Sequence, residues 1–167
     1  MKLNTLLPAT LLCALGLLTA CATTPAGPMA GAKLEARSDS AVRGIVSFKQ
    51  DGDKVVVYVD ATGIVPGDHG FHIHEVGDCS APDASSAKGH FNPSGGGHGH
   101  HAGDMPNMTA DGFGTVRITF VIDTLTLTGP NSIIGRSVIL HADPDDYRSQ
   151  PAGNSGKRIA CGVILPV

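Results

Sequence analysis

Between residues 41 and 165, short apolar runs alternate with glycine-rich turns, and no stretch carries a long helical period. Residues 41–50 set Val42, Ile45, Val46 and Phe48 among polar or small positions, which predicts a strand. Asp51-Gly52-Asp53 is a hairpin signal. Residues 54–61 then predict the returning strand. Further strands are predicted at 70–76, within 115–127 (centred on 116–121), at 137–141 and at 159–165. Many short strands with glycine-rich turns predict an all-β sandwich or barrel. Aromatic residues are scarce and tryptophan is absent, so Val, Ile and Leu must build the core.

Two stretches fit no strand. Residues 78–108 are long, rich in glycine and loaded with histidine, and residues 142–157 form a second polar stretch. Loops of this length inside a compact domain are usually functional.

The start of the chain has a different pattern. After Lys2, residues 3–18 are apolar except at Asn4, Thr5, Pro8, Thr10 and Gly16. This run is short for a membrane span and reads as the apolar region of a secretory signal. It ends in Leu18-Thr19-Ala20-Cys21, which resembles the lipobox of bacterial lipoproteins, with Cys21 the acylated residue. The alternative is an ordinary signal cut near Ala22. Ala22 is not the Asp associated with inner-membrane retention, so the outer membrane of a Gram-negative envelope is the expected location. The expected organisation is a signal at 1–20, a flexible tether of small residues at 21–33 and a domain at 34–167.

The net charge is −3, and removal of residues 1–20 deletes one lysine and no acid. No basic patch points to nucleic acid. An anionic substrate would need local positive charge. With Cys13 in the signal and Cys21 used for lipid, Cys79 and Cys161 remain; in an oxidising compartment they most simply pair, the alternative being two free buried thiols.

Seven of the eight histidines lie between His69 and His101, and the eighth is His141. His72-Ile73-His74 puts two imidazoles on one side of a strand, because side chains alternate with period two. His90 follows in the loop. His98, His100, His101 and Asp104 are close enough in sequence for three histidines and a carboxylate to close a tetrahedral zinc site. His141 could complete a second site with His72 and His74, and all-imidazole sites suit copper or zinc. A loose metal-sequestering tract is the alternative; it requires neither a strand His-x-His nor a distant histidine.

The strings Gly70-Phe71-His72-Ile73-His74-Glu75, Gly89-His90-Phe91-Asn92-Pro93, His101-Ala102-Gly103-Asp104, residues 134–141 and residues 153–164 resemble copper/zinc superoxide dismutase, in order and over nearly the whole domain. The resemblance implies a Greek-key β-sandwich or flattened barrel with two long functional loops. It implies copper on His72, His74, His90 and His141, and zinc on His90, His98, His101 and Asp104, with His90 bridging. Asp145 would link His72 to His98 behind the metals. Arg158 would attract superoxide anion, with Lys157 nearby, and Cys79 and Cys161 would form a disulfide. His90 would also carry a proton in catalysis. His69 is expected to be structural. The stretch from His98 to His101 is short for the family, so His98 or His100 could take the zinc position; the spacing from His90 favours His98. A metal-binding relative without turnover is the competing reading, but such a relative would be expected to lack a copper ligand or the arginine. The oligomeric state is left open.

Overall fold

The computed structural model describes residues 27–167. The expected signal, Cys21 and the first part of the tether lie outside the described residues. Ten strands follow in order: β1 (Met29–Ala36), β2 (Arg43–Asp51), β3 (Lys54–Thr62), β4 (Gly67–His69), β5 (Phe71–His74), β6 (Met108–Ala110), β7 (Thr115–Ile122), β8 (Ser137–His141), β9 (Arg158–Val163) and β10 (Leu165–Pro166). Among the described residues the only helical element is a single 3-10 turn, Ser85–Ala87.

One sheet runs in the order β5-β8-β9-β1-β2-β3-β7, with β10 paired to β1, while β4 and β6 form a small separate pair. All ladders are antiparallel. β1 pairs with β2 along its first part and with β9 at Glu35 and Ala36, so the sheet curls about this strand. β9 thereby returns beside β1 to give the order β9-β1-β2-β3 of a Greek key.

The alternation in β3 shows which face of the curled sheet forms the core. Val55, Val57, Val59 and Ala61 are buried, and the residues between them are not. Together with Phe48, Phe71, Leu34, Ile73, Val138 and Leu140 they form one continuous apolar core. The hairpin signal is realised: Asp51 pairs with Lys54, and Gly52 takes the positive φ (61°) the tight turn demands.

β1 corrects the sequence reading. Residues 29–33 were expected to belong to the tether, yet they form the first part of a strand. Ala30, Ala32 and Leu34 alternate inward and are buried. Small side chains gave little apolar signal, but this stretch pairs with β2 on one side and β10 on the other. The domain therefore starts before residue 34. The short strands β4 and β6 were also not predicted, because three-residue strands carry too little periodicity to read.

β5 and β8 are buried at every position. Phe71, Ile73, Val138 and Leu140 face the core. His72 and His74 therefore point to the opposite face, where the two long loops cover them.

Candidate metal centre

Residues 75–107 fold back along β5. Ile73 donates its N–H to Gly103 O (2.9 Å), Phe91 to Ile73 O (2.8 Å), and Glu75 to Gly89 O (2.9 Å). These bonds bring His90 opposite His74, and Asp104 opposite His72. His141 enters from the end of β8, where the ladder slips after Leu140, and its N–H is held by Gly70 O at 2.9 Å.

Two groups of side chains result. The donor atoms of His72, His74, His90 and His141 all lie within 4.8 Å of one another, and so do those of His90, His98, His101 and Asp104. His90 belongs to both. His100 belongs to neither group and is exposed. His69 is buried outside the groups, with its ring nitrogens against Val65 O (2.7 Å) and His141 O (2.8 Å).

The free ring nitrogens say what the groups can hold. His72 Nδ1, His74 Nε2, His90 Nε2 and His141 Nε2 are buried without a hydrogen-bond partner, as are His98 Nδ1 and His101 Nδ1. Buried polar atoms are nearly always paired, so six converging orphans call for a cation. Neutral imidazole nitrogens with carboxylate support are borderline donors suited to copper and zinc. Zinc with ligands at about 2.0–2.1 Å in a tetrahedron has ligand–ligand distances of about 3.3–3.4 Å. Asp104 Oδ1 lies 3.3 Å from His101 Nδ1, 3.5 Å from His98 Nδ1 and 2.7 Å from His90 Nδ1. The second group thus has nearly the right size, and the donor sets fit both metals.

The other ring nitrogens fix the tautomers. His72 Nε2 and His98 Nε2 donate to the two oxygens of Asp145, each at 2.7 Å. His74 Nδ1 donates to Lys88 O at 2.9 Å. His141 Nδ1 lies 3.2 Å from Ser155 Oγ. Such outer contacts orient ligands and set their basicity. Asp104 Oδ2 accepts the N–H groups of Gly99 (2.8 Å) and His101 (3.0 Å), which aims Oδ1 at the histidines.

Burial, with the neighbouring imidazoles adding to it, keeps His72 and His74 neutral, their pKa values well below the ordinary 6.5. Burial likewise lowers His141, to about 4. At Asp104 burial acts to raise the pKa, but the His90 hydrogen bond and the His101 N–H outweigh it and hold the carboxyl at about 2. Neutral imidazoles and an ionised carboxylate are the forms that bind a cation.

Arg158 opens β9 as the register partner of His141. Its guanidinium donates to Ala84 O and Lys88 O, both at 2.7 Å. Lys88 O thus holds a histidine of the first group and the arginine together. Burial lowers the Arg158 pKa, opposed by Asp83; an arginine side chain remains charged in proteins. The segment carrying Ala84 and Lys88 is pinned by the Cys79–Cys161 disulfide and by the packing of Ala84 and Ala87 on Ile139 and Cys161.

Several supporting residues were not read from the sequence. Asn107 clasps the Asp145 backbone on both sides, accepting its N–H (2.9 Å) and donating to its C=O (2.9 Å). Tyr147 donates its N–H to Asp145 Oδ1 (2.7 Å), and its hydroxyl accepts the Asn107 N–H (2.6 Å). Gly153 (φ 60°) lies so close to Asp145 that a Cβ there would overlap the carboxylate. Lys88 has φ 65° and ψ −147°, a conformation natural only to glycine, which costs other residues of order 1–3 kcal/mol. The Tyr147 N–H bond to Asp145 is local, two residues apart, but the Asn107 contacts join residues 38 and 40 apart, which no local pattern announces.

A curled Greek-key sheet bearing two donor sets that share one imidazole defines a dinuclear metalloprotein. Comparison with known proteins narrows the class. The sequence model of the copper/zinc superoxide dismutase (SODC) family matches residues 42–164, and the chain belongs to that family. Superoxide dismutase [Cu-Zn] 2 of Aquifex aeolicus (strain VF5) is 43% identical over 139 residues, covering 76% of this chain and 81% of the relative. A solved structure described as the clock protein EA4 superposes with a TM-score of 0.77 at 39% identity, covering 87% of this chain and 98% of its own. Membership makes the chain an oxidoreductase acting on superoxide, with copper and zinc as its metals.

Proposed function

We propose that His72, His74, His90 and His141 hold copper and that His90, His98, His101 and Asp104 hold zinc. The observation that carries this reading is the convergence of six unpartnered, buried ring nitrogens on two points that share His90. Copper supplies one-electron redox chemistry, and zinc a fixed positive charge without redox change. Two superoxide anions and two protons yield one dioxygen and one hydrogen peroxide.

The side chains divide the remaining work. Arg158 binds and orients the anion, being a fixed cation that shares the Lys88 carbonyl with His74. His90 is the proton carrier: Nε2 holds and passes on a proton, while Nδ1 stays directed at the Asp104 side and keeps the ring from turning. Asp145 keeps His72 and His98 in the tautomers that leave Nδ1 free.

The reading extends to location. An apolar run followed by Leu18-Thr19-Ala20-Cys21 supports export, acylation of Cys21 and attachment to the outer membrane, where the enzyme would protect the cell envelope from superoxide. Metal analysis with a superoxide assay on protein lacking residues 1–20 tests the site. One copper and one zinc per chain, with activity abolished in His141→Ala, is the expected result. A fully metallated but inactive protein would instead mark a metal store or carrier.

A further inference from the structure

The Lys88 backbone needs an explanation beyond the contacts its carbonyl makes. That carbonyl accepts from His74 Nδ1 and Arg158 Nη2, which accounts for the conformation. It does not account for the side chain. Glycine would offer the same carbonyl without strain, since φ 65° with ψ −147° is a glycine conformation. Where a residue breaks a local rule, the reason is often functional.

The Lys88 side chain is exposed, and its ammonium makes no hydrogen bond or close ion pair among the described residues. Its reach is bounded by the backbone. An extended lysine places Nζ at most about 9 Å from its own carbonyl oxygen, by standard bond lengths. Arg158 Nη2 lies 2.7 Å from that oxygen. The two cations are therefore within about 12 Å in any rotamer, close to the screening length of about 10 Å at 0.1 M salt. Lys157 adds a third cation beside Arg158. The acids near them are exposed Asp83, which acts on Arg158, half-buried Asp78, which Lys88 acts on, and exposed Glu75, whose carboxylate lies beside Gly89.

We propose that Lys88 is a steering residue for the anionic substrate, extending the positive field of Arg158 from the half-buried site to the surface. The strained lysine is retained because glycine at this position would forfeit the charge. The proposal rests on the reading of Arg158 as the residue that meets the anion.

The test is the bimolecular rate of superoxide dismutation by the metallated protein, from about 10 mM to about 300 mM ionic strength, a range that spans the change in screening. Lys88→Gln should lower the rate about two- to threefold at low salt, flatten its salt dependence and converge on the unmodified protein at high salt. Lys88→Arg should keep both rate and slope. Lys88→Gly should lose rate like Lys88→Gln yet melt several degrees higher than it, because the backbone strain is relieved. An unchanged rate and slope in Lys88→Gln overturns the proposal. So does an equal loss at every salt concentration, which would mean a displaced carbonyl rather than a lost charge. Arg158→Gln separates the two readings. If it retains the full rate, the anion-binding reading of Arg158 fails; if it loses rate while Lys88→Gln does not, only the Lys88 assignment fails.

Discussion

His72 and His98, from opposite donor groups, are tied together by the two oxygens of the buried Asp145 carboxylate, each bond 2.7 Å long. The bond to His72 ties strand β5 to the loop that follows β8, and the bond to His98 ties that loop to the histidine-rich one. Any change at Asp145 is therefore felt at both groups.

Asp145→Asn keeps the shape but turns one acceptor into a donor facing an N–H. Zinc affinity should fall by roughly 10–100-fold, the usual effect of losing an outer-shell partner. Competition with a chromophoric chelator measures this. Circular dichroism should show the β-sheet intact. Undiminished zinc affinity would mean that the ring orientations do not depend on the carboxylate.

His98 is buried in the second donor group, whereas His100 is exposed outside it. Purified His98→Ala should carry close to no zinc, and His100→Ala its full complement. Zinc loss confined to His100→Ala would reverse the assignment.

The metal-free protein should lose stability as the pH falls below about 6.5. His141 has a folded pKa of about 4 against the ordinary 6.5, and burial keeps His72 and His74 low as well. Between these values the unfolded chain binds more protons than the folded one, so acid favours unfolding. The His141 contribution is present above 6.5 and gone by about pH 4; it is on the order of 3 kcal/mol. Asp104, held at about 2, adds a further loss only below pH 4. Urea midpoints at pH 7.5, 6, 5 and 4 check the slope, and a flat profile would contradict the burial argument.

Gly153→Ala should destabilise the metal-free fold by about 1–3 kcal/mol, because φ 60° is unfavourable to alanine and the new methyl overlaps Asp145. It should also weaken zinc binding. The control is Gly112→Ala, where a Cβ meets open space and φ is not positive; denaturant unfolding should separate the two clearly.

Reducing the Cys79–Cys161 disulfide opens a loop of 82 residues in sequence separation. The chain-entropy model gives about 4–5 kcal/mol for such a loop, and typical losses are about 2–5 kcal/mol. The Cys79→Ser, Cys161→Ser double variant should unfold at correspondingly lower guanidinium. Its activity should fall further than its metal content, since the released segment carries the carbonyls that hold Arg158.

What could be read from the sequence follows from local rules. The apolar run of residues 54–61 after a hairpin signal predicted a strand, and period two put His72 and His74 on one face; which valines of β3 face inward came from the structure. Gly52 marked the hairpin because a tight turn needs positive φ. The histidines, Asp104, Asp145, Arg158 and the cysteine pair were legible as residue types in order. Tertiary structure alone decided the rest. Residues 29–33 became strand because β2 and β10 pair with them and Ala30 and Ala32 are buried, and such small side chains give a weak periodic signal. His98 rather than His100 turned inward because Asp145, from the loop after β8, meets its Nε2, while Asp104 pins the backbone N–H of Gly99. The carbonyl of Lys88 became the shared support of His74 and Arg158 through backbone geometry, which the side-chain alphabet does not record.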